Sequence, residues 1–154
     1  MKWITVRQLK EKFSLEVLAG EAHLDRKITK PRVHRPGLEF VGYFDFFPQQ
    51  LVQVLGVKEI TFLHKHSEEE RNIRIGNIVK YHPPCFIVTQ NQGGLKYLTK
   101  YCELEGIPLL RTPEKTSTFL ERVDAYLSKA LAEEITVHGV CVNVSGIGVL
   151  LRGK

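Results

Sequence analysis

Short blocks of apolar residues, separated by glycine, proline and charged residues, predict a chain in which strands and helices alternate. Thr5 is a good helix N-cap, because apolar residues follow it at helical spacing over 6–13. Other apolar runs are short and predict strands. The run over 85–89 is the most continuous and is typical of a strand that is buried on both faces. The four predicted strands cover residues 15–19, 51–55, 85–89 and 107–110.

Two segments have a hydroxyl residue three positions before a glutamate, the spacing of a capping box at the start of a helix. They predict helices over about 67–79 and about 118–132. A further helix over about 95–104 is predicted to end at Gly106, a good C-cap. The strand, helix and strand over 85–110 are then expected to form a parallel crossover unit.

After the last of these helices the pattern changes from helical spacing to alternation. Valines over 140–144 share one face with His138, and the glycines over 146–148 predict a turn back. A hairpin of this kind is marginal alone and needs a sheet to join. We therefore expect one α/β domain over residues 1–130, a small sheet flanked by helices, and the start of a second domain over 131–154.

Composition restricts the class of protein. No stretch of about 18 apolar residues is present, so no membrane partner is expected. The N-terminus lacks an apolar signal core, which predicts a cytoplasmic protein. Cys85, Cys102 and Cys141 are widely spaced and form no C-x-x-C pair, so neither a disulfide framework nor a zinc knuckle is expected.

The net charge is +5, and much of the positive charge lies in one basic stretch over 26–35. Such a stretch is a candidate site for nucleic acid, a phosphorylated ligand or an acidic protein. The alternative is a solvated basic face, which we favour because nucleic-acid-binding surfaces usually interleave aromatic residues with the charge. No nucleic-acid partner is therefore expected. The stretch contains Arg26, Lys27, Lys30, Arg32, His34 and Arg35.

Two smaller clusters are further candidate sites. His64 and His66 would suit a metal ion if they lay on a strand, but a third ligand is lacking, so an exposed polar pair is expected. The aromatic residues over 43–47 are expected at the edge of the core, since exposed apolar patches of that size are uncommon on monomers.

The C-terminal stretch predicts a strand that enters a phosphate-binding loop. In the motif G-x-x-x-x-G-K-[ST], backbone N–H groups bind phosphate. Gly153 would be the first glycine of that loop. The second glycine, the loop lysine and the Mg²⁺-binding hydroxyl would follow Lys154, which is therefore not the loop lysine itself. The chain is interpreted as the front part of a kinase-like protein.

Five segments match a known family in its order and spacing. They are 35–44, which begins Arg-Pro-Gly, 55–71, 84–89, 106–112 and 136–153, which begins with a histidine-glycine strand. With these segments the chain resembles the bacterial HPr kinase/phosphorylase family over nearly its whole length. The resemblance implies an α/β domain similar to the N-terminal domain of UDP-N-acetylmuramoyl ligases, followed by a β-hairpin that opens a P-loop kinase domain.

The same resemblance implies an activity for the whole protein. The family phosphorylates a serine of the phosphocarrier protein HPr with ATP or pyrophosphate, removes that phosphate by phosphorolysis, and acts in carbon catabolite repression. Mg²⁺ and ATP are implied as cofactors, bound through residues beyond this chain. HPr is implied as the partner, and the full-length protein as a homo-hexamer.

Three residues fall on family site positions. His138 matches an active-site histidine, which would donate a hydrogen bond or a proton to a phosphoryl oxygen. Its alternative role is that of a partly buried strand histidine. Gly153 and Lys154 match the start of the ATP loop only, so the fragment alone is expected to be inactive. The alternative function is a stand-alone, non-catalytic module that binds a phosphorylated or nucleotide-sugar ligand through the basic stretch.

Overall fold

A computed structural model describes residues 2–132, which form a mixed five-stranded sheet between two helical layers, with a separate two-stranded ribbon. The strands are β1 (Ile4–Thr5), β2 (Glu16–Ala19), β3 (Lys27–Ile28), β4 (Val33–His34), β5 (Val52–Leu55), β6 (Phe86–Val88) and β7 (Leu109–Arg111). The helices are α1 (Val6–Phe13), α2 (Val57–His64), α3 (Glu68–Val79), α4 (Lys96–Glu105) and α5 (Thr116–Ala130). Two 3₁₀ turns cover Glu21–His23 and Leu38–Val41.

The central sheet has the strand order β2-β7-β6-β5-β4. Strands β4 to β7 run parallel, and β2 adds to β7 in the antiparallel direction. Strands β1 and β3 form the ribbon. The predicted crossover unit is confirmed, because β6 and β7 are parallel neighbours joined by α4. The α/β class expected from the sequence is confirmed with them.

Apolar side chains fill a core on each face of the sheet. Helices α1 and α5 cover one face, where Ile87 of β6 packs against Phe119. Helices α2, α3 and α4 cover the other face, where Phe86 and Val88 pack against Leu98. Strand β6 is therefore buried on both faces, as its continuous apolar sequence predicted.

Local caps place the first and third helices where the sequence predicted them. The Thr5 hydroxyl accepts a hydrogen bond from the Gln8 N–H at 3.2 Å, and the Gln8 side chain accepts one from the Thr5 N–H at 2.8 Å. The Ser67 hydroxyl accepts from the Glu70 N–H at 3.2 Å, so α3 begins as expected. Gly106 ends α4 in the left-handed conformation, with φ at 69°.

Helix α5 corrects the second predicted capping box. It begins at Thr116, two residues before the predicted start, and its N-cap is Lys115, which makes no side-chain cap. The Thr116 hydroxyl instead bonds to Thr89. A tertiary contact has therefore set the start of this helix. Its last residue is Ala130 rather than Ala132.

Helix α2 and three two-residue strands have no counterpart among the predicted elements. The N-cap of α2 is Gly56, which has no side chain to signal a cap. The residue that caps this helix is instead Glu59, whose side-chain carboxylate accepts a hydrogen bond from the Gly56 N–H. Strands as short as β1, β3 and β4 hold too few residues for an alternating pattern to be recognised.

Candidate functional site

The residues predicted for the active site and the ATP loop lie outside the described residues. These are His138, Gly153 and Lys154, together with the predicted hairpin. The expected domain boundary after residue 130 falls at the end of the described residues and stays a prediction. The geometry available for a site is therefore that of the N-terminal domain. In sheets of this kind, loops at the carboxyl ends of parallel strands are the usual place for a ligand.

A buried ion pair lies at the carboxyl ends of β4 and β5. The Arg35 Nη2 donates to the Glu59 Oε1 at 3.0 Å, and the same oxygen accepts the Gly56 N–H at 2.6 Å. The Glu59 side chain is only 3% exposed, whereas that of Arg35 is 34% exposed. A carboxylate this deeply buried needs both a counter-charge and hydrogen bonds, and Arg35 and Gly56 supply them.

Glycine is required at position 56 because no room is left there for a side chain, and not because of its backbone angles. A Cβ atom there would lie 2.8 Å from Arg35 Nη2 and 2.8 Å from the Thr116 hydroxyl. Any side chain would therefore push apart the first turns of α2 and α5. The glycine lets the ion pair and the start of α5 approach each other closely.

A buried hydroxyl pair continues the polar cluster toward β6. The hydroxyls of Thr89 and Thr116 are 2.6 Å apart, and the Thr116 hydroxyl donates to the Gln90 side chain at 3.3 Å. Gln90 and Asn91 both have positive φ, at 59° and 50°. Their backbone N–H groups donate to the carbonyls of Glu114 and Thr112, which holds the loop after β6 against the loop after β7.

A cleft of about 270 Å³ opens beside the Arg35–Glu59 pair. Its walls are almost wholly apolar, and its polar groups are Lys58 and Glu59. Such a cleft can receive an apolar side chain or ring, with the buried carboxylate at one end. Its apolar walls come from Pro36, Leu38, Phe40, Val41 and Phe62.

The basic stretch is not one uniform solvated face. Arg35 is tied to Glu59, and Arg26 is half-buried and donates three hydrogen bonds to backbone carbonyls. The Lys27 ammonium lies 4.2 Å from the centre of the Trp3 ring. Lys30 and Arg32 are exposed, which agrees with the interpretation of the stretch as a solvated basic face. For Arg26 and Arg35 that interpretation is wrong, because hydrogen bonds to residues distant in sequence hold both side chains and leave them only partly exposed.

The structure also shows where the predicted histidine pair lies. His64 ends α2 and packs against the Tyr97 ring, while the His66 Nδ1 lies 2.8 Å from the Phe62 carbonyl. Within residues 2–132, no group of three or more His, Cys, Asp or Glu side chains is arranged to hold a metal ion.

The aromatic cluster over 43–47 divides in two. Phe44 and Phe47 pack at the core edge, as expected. Phe46 is 98% exposed and Tyr43 is 48% exposed, so the expectation is wrong for these two residues. Alternate residues of an irregular loop point in different directions, which the sequence pattern does not record.

The thiols of Cys85 and Cys102 are held in an unreactive, protonated form. Burial raises the pKa of the Cys85 thiol to about 12 and also raises the pKa of the Cys102 thiol. Both thiols therefore stay protonated at neutral pH and are poor nucleophiles. No helix in the described range is long and apolar enough to cross a membrane.

Residues 4–127 match the family described as HPr Serine kinase N terminus. The chain belongs to this family. Its relatives include the protein of Oceanobacillus iheyensis provisionally named HPr kinase/phosphorylase 2, which is 66% identical over 154 residues. The HPr kinase/phosphorylases of Bacillus licheniformis and Bacillus subtilis are 38% and 34% identical over 154 residues. All of this chain is covered in each comparison, but it spans only 50% of the length of these relatives.

A solved structure shares the fold. It contains the CBS and DRTGG domains of the regulatory region of a Clostridium perfringens pyrophosphatase, complexed with the activator diadenosine tetraphosphate. The TM-score is 0.54 at 13% identity, over 80% of this chain and 46% of the other. At that identity the likeness concerns the fold alone.

Proposed function

We propose that the chain is the N-terminal part of a bifunctional HPr serine kinase/phosphorylase. The whole protein would phosphorylate a serine of HPr with ATP or pyrophosphate and remove that phosphate by phosphorolysis. The carrying observation is that relatives named for this activity align with the chain from end to end and are twice its length. The same observation disfavours a stand-alone binding module.

We also propose how the chain divides between two domains. Residues 1–130 would form the N-terminal domain, with a fold similar to that of the N-terminal domain of UDP-N-acetylmuramoyl ligases. Residues 131–154 would begin the P-loop kinase domain, in which Gly153 and Lys154 start the ATP loop. His138 would assist transfer by donating a hydrogen bond or a proton to a phosphoryl oxygen. ATP and Mg²⁺ would bind through residues that follow this chain.

Phosphoryl transfer depends on positioning and charge neutralisation, with little covalent chemistry for the protein to perform. The described domain holds its thiols protonated, and its carboxyl-edge arginine is already neutralised by Glu59. It is therefore expected to support the kinase half rather than to act on phosphate. The proposed setting is a cytoplasmic homo-hexamer that acts on HPr in carbon catabolite repression.

The test compares the full-length protein with residues 1–154. With ATP, Mg²⁺ and HPr, the full-length protein should produce serine-phosphorylated HPr, detected by mass spectrometry, and residues 1–154 should produce none. With phosphorylated HPr and inorganic phosphate, only the full-length protein should release pyrophosphate. Failure of a folded full-length protein to modify HPr, or transfer by the fragment, would contradict the proposal.

A further inference from the structure

A second cleft lies at the opposite, amino edge of the parallel strands. It has a volume of about 360 Å³ and is formed by the loop before β3, the segment before β5 and the segment before β6. We call it the amino-edge cleft. The residues that matter here are Asp25, Arg26, Lys27, Gln49, Gln50 and His82.

The Arg26 guanidinium in its wall is held rigidly. Its Nη2 donates to the carbonyls of His82 and Pro83 at 2.8 and 2.9 Å, and its Nε donates to the carbonyl of Pro84 at 3.3 Å. The backbone of Arg26 is held as well. The Val6 N–H donates to the Arg26 carbonyl, and the Arg26 N–H donates to the His23 carbonyl. The arginine is therefore positioned before any ligand arrives, which lowers the entropic cost of binding.

The charge of Arg26 is not neutralised by the described residues. All three of its hydrogen-bond partners are neutral carbonyls, and among residues 2–132 no carboxylate forms an ion pair with it. Burial lowers its pKa, which shows that the charged form is penalised there. Arginine nevertheless stays protonated in proteins, so the cleft wall keeps a half-buried positive charge.

The neighbouring groups strengthen this preference for an anion. Lys27 lines the same cleft, and its ammonium lies 4.2 Å from the centre of the Trp3 ring. The one carboxylate in the lining, that of Asp25, accepts from Arg7 at 3.2 Å. The His82 ring is within 3.2 Å of Glu105, and the amides of Gln49 and Gln50 add uncharged hydrogen-bond donors.

We propose that the amino-edge cleft binds the phosphate group of a small phosphorylated metabolite. The two N–H groups of the Arg26 Nη1, which form no hydrogen bond with another described residue, can donate to phosphate oxygens, and the Lys27 ammonium matches the remaining charge. The cleft volume falls in the lower part of the range of small-molecule sites, roughly 300–1,000 Å³. A nucleic-acid strand fits poorly, because binding of single strands relies on a series of stacking aromatic residues and the lining of this cleft contains no Phe, Tyr or Trp side chain.

The proposal is independent of the kinase assignment, since it concerns residues of the described domain alone. The test is a titration of the ¹⁵N-labelled 154-residue chain with ribose 5-phosphate, followed by the backbone amide signals. Saturable shifts at Lys27, Gln50 and His82 are expected, and ribose should produce none. Inorganic phosphate in a parallel titration separates recognition of the free anion from recognition of an ester.

Variants assign the binding to the cleft. Lys27→Gln should weaken ribose 5-phosphate binding about tenfold, the loss expected for one charged hydrogen bond. Lys129→Gln removes the same charge from the far end of α5 and should leave the affinity unchanged. Arg26→Gln should abolish binding, and if it unfolds, as judged by circular dichroism, Gln50→Ala replaces it with a weaker loss of affinity.

Three outcomes would overturn the proposal. The first is the absence of saturable shifts with both phosphate probes at millimolar concentration. The second is equal weakening by Lys27→Gln and Lys129→Gln, which would indicate nonspecific attraction to the net charge. The third is tighter binding of an RNA oligonucleotide at the same amides, which would make the cleft a nucleic-acid site.

Discussion

The two ends of the basic stretch show how differently one fold can use two arginines. At the carboxyl edge, Arg35 is paired with a buried glutamate and closes a polar cluster around Gly56. At the amino edge, Arg26 is surrounded by carbonyl oxygens and keeps an unneutralised charge beside a cleft. The first arrangement stabilises the domain, whereas the second leaves charge available for a ligand. Proximity along the chain therefore does not make these residues one surface.

The largest expected effect is at the carboxyl edge. Glu59→Ala should lower the free energy of unfolding by about 3 kcal/mol, because it leaves Arg35 and the Gly56 N–H without their shared acceptor. Urea denaturation followed by circular dichroism measures this. Asp25→Ala is the matched control, since it breaks an exposed pair with Arg7 and should cost about 0–1 kcal/mol. Equal losses in the two variants would remove the contrast between buried and exposed pairs.

A smaller effect is expected at the amino edge. Arg26→Gln should lower the free energy of unfolding by roughly 1–2 kcal/mol, because three carbonyls lose a donor while the penalty of a half-buried charge disappears. Arg35→Gln should cost more, because it leaves the buried Glu59 carboxylate without its counter-charge. Denaturation curves of both variants give the comparison. A larger loss for Arg26→Gln would show that its role is mainly structural and would weaken the contrast.

The smallest effect concerns the hydroxyl pair behind Gly56. Thr116→Val keeps the shape of the side chain but removes the bond to Thr89, so it should cost about 1 kcal/mol. Thr118→Val, on the exposed side of the same helix, should change the stability by less than about 0.5 kcal/mol. Thermal unfolding of the two variants is the measurement. If they proved equally stable, the hydroxyl pair would contribute nothing to the carboxyl edge.

Elements with local signals were predicted well from the sequence. The cap at Thr5, the apolar run that became β6 and the glycine that ends α4 each depend on residues within a few positions of one another. Helix α2 was missed because its cap is a glycine and its acceptor is the third residue of the helix. The start of α5 was misplaced because Thr116 is held by Thr89, which is distant in sequence.

The candidate sites were less predictable than the elements. Segment patterns over the whole length indicated the family, and the match over residues 4–127 confirms it. The two clefts could not be predicted, because each is formed by segments that only the folded sheet brings together. The predicted roles of His138, Gly153 and Lys154 stay predictions, since these residues lie outside the described part of the chain.

By itself, the sequence determined the alternation of most strands and helices and the caps at Thr5, Ser67 and Gly106, because those features follow from neighbouring residues. Segment patterns along the whole chain determined the family. Tertiary structure alone decided what the basic stretch does. Arg35 meets Glu59 across 24 positions, and Arg26 meets the carbonyl of Pro84 across 58 positions. Such partners are set by the order of the strands in the sheet, and the energetic role of a buried charge depends on its partner rather than on its own residue type.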